Sequence, residues 1–115
     1  MAAIATLPLE NCAPAQACWK FNFNDQKCQF TSRGLMTCWR GEDVEKEILI
    51  PLPLQHTFVQ GRLWNNSDNV FWERELTNNK NEKQRQLISF QMSQHKILWI
   101  KMLSANESSE EIIKN

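Results

Sequence analysis

The sequence predicts an all-β single domain of about seven or eight short antiparallel strands, folded as a sandwich or small barrel. Three observations carry this. Apolar residues alternate with polar ones at period two over much of residues 18–103. Clusters of turn-forming residues punctuate that alternation: Asn24–Lys27, Arg33-Gly34, Gly41–Asp43, Asn65–Asn69 and Thr77–Glu82. No stretch has the sustained helical spacing of a core helix. The chain has 115 residues and 13.5 kDa, enough for one hydrophobic core. With 42% hydrophobic residues and only three Gly and four Pro, it is neither disordered nor fibrous. Thirteen basic residues balance thirteen acidic ones, so bulk charge gives no sign of a strongly basic nucleic-acid or membrane binder.

Residues 1–17 read as an irregular N-terminal arm, because Pro8 and Pro14 oppose regular structure. The β-rich domain spans 18–103. Trp19, Phe21 and Phe23 share one face of its first strand, opposite Lys20, Asn22 and Asn24. Cys28 and Phe30 mark a second strand. Leu35, Thr37 and Trp39 mark a third, with Met36, Cys38 and Arg40 on its other face. Residues 44–50 admit a short helix capped by Asp43, or a strand through Ile48–Ile50; the β-branched run favours the strand in the second half. Pro51-Leu52-Pro53-Leu54 cannot sit inside a sheet, since proline lacks the ladder donor. Leu52 and Leu54 are therefore candidates for protein docking beside an edge.

Residues 56–64 and 70–76 form the next two strands, with Gly61 a candidate bulge. Residues 84–94 follow, with Ile88, Phe90 and Met92 on one face. Residues 97–102 are apolar on both sides and read as a strand buried on both faces. Residues 104–115 are a polar tail with one helical turn around Ser109–Lys114.

Cys12, Cys18, Cys28 and Cys38 contain no C-x-x-C pair, so a zinc knuckle is not indicated and no metal is expected. They are expected as structural thiols; two disulfides would require an oxidising compartment. No run is long and apolar enough for a membrane helix. The start, Met1–Leu9, has no basic residue before its apolar run, is broken by Pro8 and ends at Glu10. It reads as an ordinary mature N-terminus in the cytoplasm rather than a secretory signal.

No catalytic residues are expected and no cofactor is implied. The only histidines, His56 and His95, have no partner spacing, and neither a nucleophile elbow nor a phosphate loop is present. Glu73 and Glu75 share a strand face, but Glu-Arg-Glu alternation suits a solvated strand better than an acid–base pair. Every tryptophan has a basic residue within two positions. Arg62 with Trp64, and Trp72 with Arg74, are therefore the candidate nucleic-acid or partner-binding residues, rings for stacking and cations for phosphates. The plainer alternative places these tryptophans in the core with the cations at its rim. An apolar barrel for a small-molecule ligand, anchored by Gln60, Gln91 or Arg62, is a further possibility.

Residues 61–76, GRLWNNSDNVFWEREL, combine a strand ending in an aromatic, a polar turn and an aromatic strand with an arginine. This resembles a hairpin in the small accessory subunits of type III-D CRISPR effector complexes. The resemblance covers about 16 of the 115 residues. It implies a non-catalytic subunit of an RNA-guided antiviral assembly, with other protein subunits and RNA as partners; it transfers no site residue. The expected function is thus a non-enzymatic binding subunit of a larger assembly. The alternative is a small ligand-binding barrel.

Overall fold

The computed structural model describes residues 6–13, 16–50 and 57–114. They form two antiparallel sheets, both simple meanders. The first contains β1 (Glu10–Ala13), β2 (Gln16–Phe23), β3 (Gln26–Thr31), β4 (Leu35–Arg40) and β5 (Asp43–Leu49), paired in chain order. The second contains β6 (Thr57–Asn66), β7 (Asn69–Thr77), β8 (Lys83–Gln91) and β9 (Lys96–Leu103), again in chain order. One short helix, α1 (Ser109–Lys114), follows where the helical turn is expected. The fold is all-β, and of the two architectures expected it is the sandwich.

Among the described turns, three close hairpins on two residues each: Asn24-Asp25, Gly41-Glu42 and Ser67-Asp68. In each the first turn residue has positive φ (53°, 63° and 56°), which lets so short a link follow the strand twist. Residues 43–49 are strand throughout, so the alternative of a helix capped by Asp43 is not adopted. Pairing with β4 overrides the helix-start chemistry of the acidic residues. Part of the expected irregular arm is also ordered. Residues 10–13 pair with β2, and the Leu7 amide donates to the Leu63 carbonyl of the second sheet at 2.9 Å.

Register decides what lies between the sheets. On the first, Trp19, Phe30, Met36 and Ile48 form one inward row, and Phe21, Cys28 and Cys38 the next. On the second, Leu63, Trp72 and Ile88 form one row, with Val70 and Phe90 beside it. These residues make one core, in which Phe30 meets the Trp72 ring edge-on, centroids 4.9 Å apart. Side chains fill the space that a ligand barrel would leave open.

The cysteines differ from expectation: none is free. Cys28 pairs with Cys38 directly across β3 and β4, and Cys12 with Cys18 across β1 and β2. Antiparallel pairing brings these Cα atoms to 4.1 and 5.8 Å, a relation that linear spacing did not reveal. Thiol titration of the unfolded, unreduced protein should find no free thiol, and four after reduction. Four before reduction would restore the reduced-thiol reading.

Candidate binding site

The four residues predicted on the 61–76 hairpin do not form one patch. Arg62 lies opposite Glu73, and Leu63 opposite Trp72. Arg62 and Trp64 therefore face outward, while Trp72 and Arg74 face the other sheet. Both rings are 1% exposed. Each carries its own arginine, Arg62 at 4.9 Å from the Trp64 centroid and Arg74 at 5.0 Å from that of Trp72. Arg74 is itself buried and donates from Nε to Gln86 Oε1 at 2.8 Å. Burial pushes its pKa down from the ordinary arginine value. Leu52 and Leu54, the predicted docking residues, lie outside the described residues, as do Pro51 and His56.

Arg62 instead helps fasten α1. Its Nε and Nη2 donate to the two oxygens of Glu73 at 3.1 and 3.0 Å, and its Nη1 lies 3.4 Å from Glu110. Arg85 stands 3.7 Å from the same carboxylate, and the Ser109 hydroxyl donates to it. Beside this cluster, Ile112 and Ile113 pack on Trp64, Phe71 and Leu87. A helix this short has no stability in isolation, so these contacts hold it. The outward face of the hairpin is thus a roofed secondary core.

The Glu73 cluster makes stability depend on pH. Burial raises the Glu73 pKa, but hydrogen bonds from Arg62 and Ser109, with the charges of Arg62 and Arg85, outweigh it and hold the carboxyl below its ordinary value of 4.5. A lowered carboxyl pKa gives stability that is complete above 4.5 and lost as pH falls through the folded-state value. Burial, then the charge of Lys46, lower the His95 pKa, so its contribution is complete above 6.5 and begins to fall below that. Resistance to chemical unfolding should therefore fall in two steps, below about pH 6.5 and again below about 4.5. Glu73→Gln should shrink the second step, to which Asp68 and Glu107 also contribute through their lowered pKa values, and cost about 1–3 kcal/mol at neutral pH. A second step unchanged in Glu73→Gln would contradict this assignment.

Two exposed surfaces among the described residues combine a tryptophan with a groove. The first is on the outer side of the first sheet. Trp39 is partly exposed there, opposite Lys27 on β3 and Val44 on β5. Trp39 and Lys27, with Lys20, Asn22 and Gln29, line a groove of about 370 Å³. Along the chain the nearest cation to Trp39 is Arg40. Arg40 alternates to the opposite side and pairs with Glu45 at 3.0 Å. The cations that actually accompany the ring come from other strands, and only the register reveals them.

The second surface is β9. It is not buried on both faces as expected: Leu98, Trp99, Ile100 and Met102 are 44, 38, 51 and 48% exposed. β9 is the last strand of its meander, so among the described strands only β8 pairs with it. Ile100 and Met102 lie on the core-facing side yet beyond the cover of the first sheet, whereas Trp99 meets Phe71 on the outer side, centroids 6.3 Å apart. A further groove, lined by Trp99, Ile100, Lys101, Glu107 and Ile112, runs alongside.

Among the described residues no group of three or more His, Cys, Asp or Glu is placed to hold a metal ion. No helix among them is long and apolar enough to cross a membrane. No protein-family model, no curated protein and no solved structure matches this chain.

Proposed function

We propose that this chain is a non-catalytic binding subunit of a larger protein assembly, docked to its neighbour through β9. The observation that carries this is an edge strand with the sequence KILWIKML, exposed on both faces at its centre. Unpaired ladder groups beside exposed apolar side chains are a template for an added strand from another chain. The other sheet provides the contrast. Its edge strand β5 carries Glu45, Lys46 and Glu47 in succession and a register shift beside them, devices that discourage pairing. β9 has only Lys96 and Lys101, with Leu98, Trp99 and Ile100 between.

The cysteines and His95 support a non-catalytic reading. The sulfurs are paired, and His95 packs its ring edge against Phe90 with both nitrogens buried. Disulfides persist in oxidising compartments, which favours such a setting over the cytoplasm expected from free thiols. That weighs against an RNA-guided effector as the assembly. From the resemblance at 61–76 we keep the class alone, a small accessory subunit beside larger protein partners.

The test places a photo-crosslinking residue at Ile100, and a control at Glu47, in the host cell. A single heterologous protein captured from position 100 and not from 47 is expected. Reconstituted with that protein, Met102→Lys should weaken association at least about tenfold, the equivalent of 1.4 kcal/mol. Met102 is 48% exposed, but its sulfur accepts from Gln86 Nε2 at 3.2 Å, so stability should also fall, by about 0.5–1.5 kcal/mol, with the variant still folded at the assay temperature. Capture of a second copy of the chain alone, or no capture, would overturn the proposal.

A further inference from the structure

The groove around Trp39 lies on the five-stranded sheet and β9 on the other, and docking through β9 makes no use of it. We infer that the outer face of the five-stranded sheet binds single-stranded nucleic acid, with a base stacked on Trp39 and phosphates held by Lys27 and Lys20. Trp39 is partly exposed and lines the groove, and among the described residues no other ring stacks on it. Lys27 lies directly across from it on β3. Lys20 faces Gln29 on β3, which puts it diagonal to Lys27, about 7–8 Å away. Both lysines are exposed, and neither is ion-paired among the described residues. Ring and ammonium groups thus form an oblique track across β4, β3 and β2.

That order of groups suits a single strand. A base offers a π-face whatever its identity, while its backbone carries regularly spaced charge. Asn22 and Gln29 line the same groove with amide donors and acceptors for an unpaired base edge. A duplex hides its base faces within the stack and would use the lysines alone. Glu47 stands across from Thr37 on β5, so the track runs from Trp39 away from that carboxylate. Two cations in a chain of zero net charge supply local contacts and no long-range field. Salt dependence should therefore be shallow, with a slope of about −1.4 for two phosphate contacts.

The 115-residue chain is titrated with uridylate and deoxythymidylate oligomers of about 12 nucleotides at several salt concentrations, with inorganic polyphosphate as a base-free control. Both oligomers should bind, because either base offers a ring face for stacking. Trp39→Ala should weaken binding by about 5- to 150-fold, and Trp39→Phe should retain most of it. Lys20→Gln or Lys27→Gln should each lower the salt slope to about −0.7. Met102→Lys on β9 should change none of this, which separates the groove from the docking strand. Failure of the parent to bind either oligomer at low salt would overturn the inference. So would polyphosphate binding equally well with no effect of Trp39→Ala. If Trp39→Ala lowers the melting temperature, the lysine variants decide, and binding unchanged in both overturns it.

Discussion

Trp72→Ala should cost about 3–5 kcal/mol of stability, enough to lower Tm by roughly 10 °C or more. Trp72 is 1% exposed and stands where the two sheets meet, with Phe30 of the first sheet edge-on at 4.9 Å. Leu63 and Ile88 lie on either side of it in the same row. Truncation removes the largest side chain of that row, and strands held by ladders on both sides cannot collapse into the gap. Arg74 also loses the ring beneath its guanidinium, at 5.0 Å. Trp72→Phe should cost less, because a smaller ring still meets Phe30. Urea unfolding at neutral pH measures both. A loss below about 1 kcal/mol in Trp72→Ala would show that this row is not the centre of the core. The same variant tests the hairpin platform expected from sequence: a change in oligonucleotide binding without lost stability would restore it.

Gly34→Ala should cost about 2–4 kcal/mol, through two causes that add at one position. Gly34 has φ 95°, a region that residues with a Cβ rarely adopt. A Cβ there would also run into the Ile50 carbonyl oxygen. Nothing at that point yields readily, because the Ile50 amide donates to the Gly34 carbonyl at 2.8 Å and ties the two backbones together. The Trp72 ring lies next, 3.3 Å from the same position. Since the closest neighbour is backbone, Trp72→Phe should not rescue Gly34→Ala. Recovery of most of the lost stability in the double variant would show that the ring, and not the carbonyl, sets the limit. Gly41 provides the control. It has φ 63° but nothing within 4 Å of a Cβ, so Gly41→Ala bears the backbone cost alone.

The short-range features of the fold were legible in the residues. Trp19, Phe21 and Phe23 alternate with polar residues, and a strand is the conformation that places such residues on one face. Asn24-Asp25 and Ser67-Asp68 close hairpins because short polar side chains tolerate the turn conformation. Ser109–Lys114 is helical where acidic residues precede a basic one along one turn. Each of these depends on neighbours a few residues apart.

Relations between strands were decided only by the tertiary structure. Within β6 the pair Arg62 and Trp64 shares a face, as does Trp72 with Arg74 within β7, and this much follows from period two. Whether the two pairs share a face with each other depends on register, and a shift of one residue reverses it. Register also placed Lys27 beside Trp39, and Cys28 opposite Cys38, across a turn that linear spacing does not measure. The apolar run at 97–102 shows the same division most plainly. Its composition determined that it would be a strand. Its place at the end of a four-stranded meander, beyond the reach of the facing sheet, decided that the strand would be exposed. Alternation is a property of one backbone, whereas burial depends on which other surface arrives to cover it, and that surface comes from residues distant in the chain.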